Sequence, residues 1–117
     1  MAQISPLDAS DLISKLLSDR IPLVAFYRTN FVEVKMRGFI DSATEAEGIT
    51  VSVSGPPIDI KRGYLSVRHI DRLNECWYGE KRSLPDSWNV LGDEYGESIL
   101  AIRFPASGET FSLFFTI

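Results

Sequence analysis

From Val32 to Ile70, apolar and polar positions alternate in three runs, and Gly38, Gly48 and Gly63 interrupt them. Val32, Val34, Met36 and Ile40 alternate with Glu33, Lys35, Arg37 and Asp41, and Ile49, Val51 and Val53 alternate with Thr50, Ser52 and Ser54. A period of two residues places each apolar set on one face of a strand, so both sets are expected to face one core. Ile58 and Ile60 share one parity, whereas Leu65 and Val67 share the other. That switch requires an inserted residue, and Gly63 is the natural site of a bulge. Gly38 falls where a barrel strand would need to bend. The whole pattern predicts a mainly β fold, a short and strongly bent antiparallel sheet curling into a small barrel over about residues 21–79.

Either side of these runs the period changes. Ala9, Leu12, Ile13, Leu16 and Leu17 form one apolar stripe at helical spacing. Ser5 is placed to cap that helix, Pro6 suits its first position, and Asp8 complements the positive end of its dipole. An N-terminal helix over about 6–19 is expected to lie on the barrel and close one end, with Pro22 preventing its continuation. Leu23 to Tyr27 reads as a strand bounded by Pro22 and the turn-prone Thr29-Asn30. Near the other terminus, Leu100, Ile102 and Phe104, then Pro105-Ala106-Ser107-Gly108, then Phe111, Leu113, Phe115 and Ile117 read as a β-hairpin. Ile70, Leu73, Trp77 and Tyr78 are apolar at less regular spacing. The stretch from Glu80 to Glu97 is loop-like, although Trp88, Val90 and Leu91 suggest that part of it packs down.

One domain spanning 1–117 is expected, because 117 residues with 44% hydrophobic content suffice for a single core. No stretch approaches the roughly 18 apolar residues of a membrane helix, and Met1-Ala2-Gln3-Ile4-Ser5 has no secretory pattern, so the expectation is a cytoplasmic protein without membrane partners. The lone cysteine, Cys76, precludes an internal disulfide and suits a reducing compartment. Net charge is −4, and it is uneven: residues 83–117 hold one basic and five acidic side chains, whereas 28–82 hold nine basic and eight acidic. An acidic balance disfavours nucleic acid as a partner except through a local basic patch.

The bent strands with their helix resemble the Sm-like small barrels. Gly38-Phe39-Ile40 through Gly48-Ile49-Thr50-Val51 is similar in spacing to that family's first motif, and Ile60-Lys61-Arg62-Gly63 leading into Ser66-Val67-Arg68-His69-Ile70 is similar to its second. The resemblance covers about one third of the chain and is shared in part with SH3-like barrels. It implies barrel architecture, homo-oligomeric assembly and, in the family at large, RNA binding. Thr44 and Gly48 stand where the family's acidic and asparagine base contacts would lie, and only Arg62-Gly63 of that constellation remains. RNA is therefore a disfavoured partner.

If RNA is bound, Arg62, Gly63, Tyr64, Arg68 and Arg72 are the residues expected to hold it, with Lys81, Arg82, Trp77 and Tyr78 extending a basic, aromatic surface. Alternating solvated charges beside core aromatics explain the same letters and are the favoured reading for an acidic chain. Arg68-His69-Ile70-Asp71-Arg72 also resembles the paired arginines of PilZ-type receptors, but it follows Asp41-Ser42-Ala43 where that family has the reverse order. His69 and Cys76 are the single residues of their kinds; a small buried thiol and a hydrogen-bonded imidazole are their expected roles, not a nucleophilic pair. One His and one Cys fall short of a zinc site, and no nucleophile elbow, phosphate loop or dinucleotide fingerprint occurs. The sequence thus reads as a non-catalytic binding or assembly module, without cofactor or metal, that self-associates or takes a protein partner through exposed strand edges. The apolar run Phe111 to Ile117 is expected to supply the surplus surface for self-association.

Overall fold

A computed structural model describes residues 2–44, 48–55, 58–67, 70, 73–80 and 96–117, the strand segments between 44 and 67 by their backbone pairing. After a short strand β1 (Ala2–Ile4), helix α1 (Pro6–Ser18) begins where the sequence signals it: the Ser5 side-chain oxygen accepts a hydrogen bond from the Asp8 amide at 3.1 Å. The predicted stripe is the buried one, with Ala9, Ile13 and Leu16 sealed in the core and Leu12 and Leu17 packed at its margin. Termination is a backbone event that precedes Pro22. The Arg20 amide donates to the Leu17 carbonyl and the Ile21 amide to that of Leu16, with Arg20 left-handed at φ 46°. That conformation is unfavourable for a side-chain-bearing residue, and the Arg20 guanidinium lies 4.7 Å from the centre of the Phe39 ring, a cation–π contact that offsets part of the strain.

Strands β2 (Leu23–Arg28), β3 (Glu33–Thr44), β4 (Gly48–Gly55), β5 (Ile58–Val67), β6 (Glu75–Glu80), β7 (Ser98–Phe104) and β8 (Glu109–Phe115) follow. They pair antiparallel in the order β1-β6-β7-β8-β2-β3-β4-β5. The first six form one sheet, and β3 carries the ladder on into β4 and β5. Gly38 marks the handover: it is the last β3 residue paired with β2, opposite Leu23, and Phe39 is the first paired with β4, opposite Ser52. The β4–β5 ladder is irregular between the Val53–Gly63 pair and the pairing of Gly55 with both Asp59 and Ile58, on the N-terminal side of the expected bulge at Gly63.

The sheet does not close. β1 and β5 end the order without pairing to each other, so the expected barrel is corrected to an open antiparallel sheet with one helix packed on β3 and β6. Closure needs a hydrogen-bonded ladder between first and last strands. Here the three-residue β1 takes the side of β6, and β8 inserts between β7 and β2.

Two apolar layers flank the central strands. Beneath α1 lie Leu23, Ala25, Ile40, Cys76, Leu100, Ile102, Phe104, Phe111, Leu113 and Phe115, and on the opposite face lie Val24, Ile99, Ala101 and Phe114 with Phe26 and Trp77 beside them. The run Phe111 to Phe115 is buried throughout, and Thr116 and Ile117 after it are exposed. Its apolar surface is spent inside the chain's own core, which corrects the expectation that it serves a partner copy. Val32 is also corrected. It is exposed and Val34 only half-buried, whereas Met36 packs against the core and Ile40 is sealed within it. The last two residues lie under α1; Val32 belongs to the turn before β3. Val51, Trp88, Val90 and Leu91 have side chains outside the described residues.

Gly96 and Gly108 both have positive φ, at 88° and 74°. A Cβ on Gly96 would sit 2.8 Å from the Phe115 carbonyl carbon, whereas one on Gly108 would meet nothing within 4 Å. Gly108→Ala is therefore expected to lose about 1 kcal/mol, the left-handed penalty alone. Gly96→Ala should lose clearly more, because backbone must move as well. Urea unfolding of the two variants checks the order; equal losses would mean that Gly96 is not held against β8.

Candidate binding surfaces

Arg62, Gly63 and Tyr64 lie in succession on β5, with Gly63 opposite Val53 and Tyr64 opposite Ser52. β5 is the outermost strand of the order. Arg68, His69, Arg72, Lys81 and Arg82 fall outside the described residues. Trp77 and Tyr78, expected to extend the same surface, are on β6, at the other side of the sheet order. Neither is a free stacking platform. Trp77 packs against the Val24, Ile99, Ala101 and Phe114 layer, and Tyr78 stacks on Phe115 with ring centres 6.3 Å apart and planes 11° from parallel. Both aromatics are therefore structural, and the strand order separates them from Arg62 and Tyr64.

Cys76 is fully buried on β6 between Ile4 of β1 and Ile102 of β7. Burial pushes its thiol up to about 11, since a thiolate there would lose its hydration. The native protein should consequently resist alkylation at pH 8 and react once unfolded. Raised in the fold above its ordinary value of 9.0, the thiol favours folding less as pH rises past that value, because the unfolded chain then ionises first. Rapid labelling of the native protein by iodoacetamide would contradict this burial. Among the described residues no three His, Cys, Asp or Glu side chains converge as metal ligands.

Sequence reasoning singled out the glycine-bent strands and missed the far end of the sheet. There a cross-strand row runs Glu75, Arg103, Thr110, Arg28 and Glu33 through β6, β7, β8, β2 and β3. Glu33 pairs with Arg28 at 3.0 Å and Glu75 lies 3.8 Å from Arg103, all four side chains substantially exposed. Glu75, the Arg103–Thr110 hairpin pair and the Arg28–Glu33 hairpin pair are distant from one another in sequence, so only strand order joins them into one row. No helix among the described residues is long and apolar enough to cross a membrane. No protein-family model, curated protein or solved structure matches the chain, so its likeness to the Sm-like barrels stands on residue spacing alone.

Proposed function

We propose that the chain is a non-catalytic binding and assembly module that works by strand addition at the free edge of β5. The observation that carries this reading is the open sheet: β5, of ten residues, ends the strand order, and among the described residues no strand pairs on its outer side. Such an edge holds backbone donors and acceptors already in strand geometry, so a second copy or an extended segment gains main-chain hydrogen bonds at small ordering cost. The opposite edge, β1, has three residues and offers much less. The burial of Phe111 to Phe115 moves the case for self-association from β8 to this edge.

Light scattering at micromolar concentration, combined with amide exchange, tests the proposal. A dimeric or larger mass with β5 amides protected is the expected result; a monomer with unprotected β5 amides in the presence of excess protein overturns self-association. The competing reading is an RNA-binding Sm-like protein using Arg62, Gly63 and Tyr64. It requires affinity for single-stranded RNA that falls with salt at a slope of ~0.7 per phosphate contact. We expect no tight uridine-selective complex at physiological salt, since Thr44 and Gly48 lack the carboxylate and amide that would read a base edge. A submicromolar, uridine-selective complex lost in Arg62→Ala would replace the assembly reading with the RNA-binding one.

A further inference from the structure

Strand β1 and helix α1 form an N-terminal unit that one short connector, Asp19–Pro22, joins to the other seven strands. β1 pairs with β6 alone and stands at the end of the strand order, while α1 packs on β3 and β6. Lifting the unit away would therefore leave the ladder from β6 through β7, β8, β2, β3 and β4 to β5 unbroken. Its apolar residues would not stay in water. Ala9, Ile13 and Leu16 are sealed in the core with Ile4, Leu12 and Leu17 at its margin, and Ile40 of β3 and Cys76 of β6 belong to the same cluster. Wherever the unit goes, that surface must be matched again.

Backbone strain is concentrated in the connector. Among the described residues, Arg20 alone of those bearing a side chain has a positive φ, at 46°, in the place after a helix where glycine is the usual occupant. That conformation turns the chain back: the Arg20 amide donates to the Leu17 carbonyl at 3.2 Å and the Ile21 amide to that of Leu16 at 3.1 Å. The Arg20 guanidinium, 4.7 Å from the centre of the Phe39 ring, compensates in part. An opened connector, extended through its four residues, would release the left-handed arginine and span up to about 14 Å.

A unit that is terminal, peripheral and held by a strained link can be traded between identical chains, because each copy offers the other the same β6 edge and the same apolar layer. We propose that two copies exchange their β1–α1 units, each unit docking on β3 and β6 of the other copy, with Asp19–Pro22 as the opening hinge. A second copy is the occupant whose fit the fold itself supplies. Every contact of β1 and α1 broken within one chain is remade with its partner, and the strain at two Arg20 residues is released in addition. The exchange depends on concentration and leaves β5 untouched, so it stands apart from strand addition at that edge.

Ile4 pairs with Cys76 across β1 and β6, and paired antiparallel Cα atoms lie about 4.5–5.5 Å apart, within disulfide range. Ile4→Cys, at a position only partly buried, therefore turns the pairing into a covalent record of which chain supplies β1. The full-length variant is concentrated in mildly destabilising urea, returned to buffer, separated by size and oxidised, and the dimer fraction is run on a denaturing, non-reducing gel. We expect covalent dimers whose digest holds the link between position 4 and Cys76. In the otherwise unaltered chain, Arg20→Gly accepts the closed turn without strain and should raise the dimer dissociation constant tenfold or more, each of two hinges contributing about fivefold. A dimer fraction that runs as monomer on the gel has each β1 on its own β6; it overturns the exchange and leaves strand addition at β5 as the source of the dimer. So does the absence of any dimer after this treatment, a link only between the two introduced thiols, or a dissociation constant indifferent to Arg20→Gly. A covalent dimer with β5 amides unprotected supports the exchange and counts only against the β5 reading.

Discussion

Replacing Ile40 with aspartate is expected to abolish folding. Ile40 lies in β3 just past the Gly38 handover, almost wholly buried in the layer that α1 covers. A carboxylate there would find neither water nor a basic partner in a core of aliphatic and aromatic side chains, and burying a polar group without a partner costs several kcal/mol. Total stability of a domain this size is on the order of 5–15 kcal/mol. Val32→Asp, eight residues earlier on the same apolar period, should change stability by less than about 0.5 kcal/mol because that side chain is exposed. Circular dichroism and urea unfolding of the pair test the strand's placement. A folded Ile40→Asp variant would mean that β3 does not run beneath the helix.

Phe115→Ala should be the most damaging of the truncations in β8, at about 3–5 kcal/mol. Phe115 pairs with Leu23 on one side and Ser98 on the other, stacks on Tyr78, and sits beneath the close approach of Gly96. Removing the ring opens a cavity and takes the stacking partner from Tyr78, worth a further fraction of the loss. Tyr78→Ala combined with Phe115→Ala should accordingly cost less than the two single losses added together. Ile117→Ala, two residues on and exposed, should be nearly neutral. Additivity of the Tyr78 and Phe115 losses would deny the contact between them.

Local signals and the fold agree wherever the physical cause is local. The Ser5 cap, the Ala9–Ile13–Leu16 stripe and the Phe104–Glu109 hairpin depend on neighbours within a few positions, so periodicity and turn chemistry specify them. Gly38 marks the change of partner from β2 to β4, whereas Gly63 is itself in register with Val53 and the β4–β5 irregularity lies just beyond it, toward Asp59. Strand β1 escaped notice because three residues carry too little pattern to distinguish a strand from a frayed terminus.

The amino-acid sequence by itself determined that this is a mainly β chain with one N-terminal amphipathic helix, since the periods of two and 3.6 residues commit each segment to a face before any long-range contact forms. Only the tertiary structure decided which strands are neighbours. Insertion of β8 between β7 and β2 is a choice among distant pairings that no local period encodes, and it buries the apolar tail, leaves β5 as the last strand of the order among the described residues, and separates Trp77 and Tyr78 from Arg62 and Tyr64 in the strand order. Which residues share a row across the sheet is decided in the same way, because the position of a residue along its strand is fixed by register with partners tens of residues away.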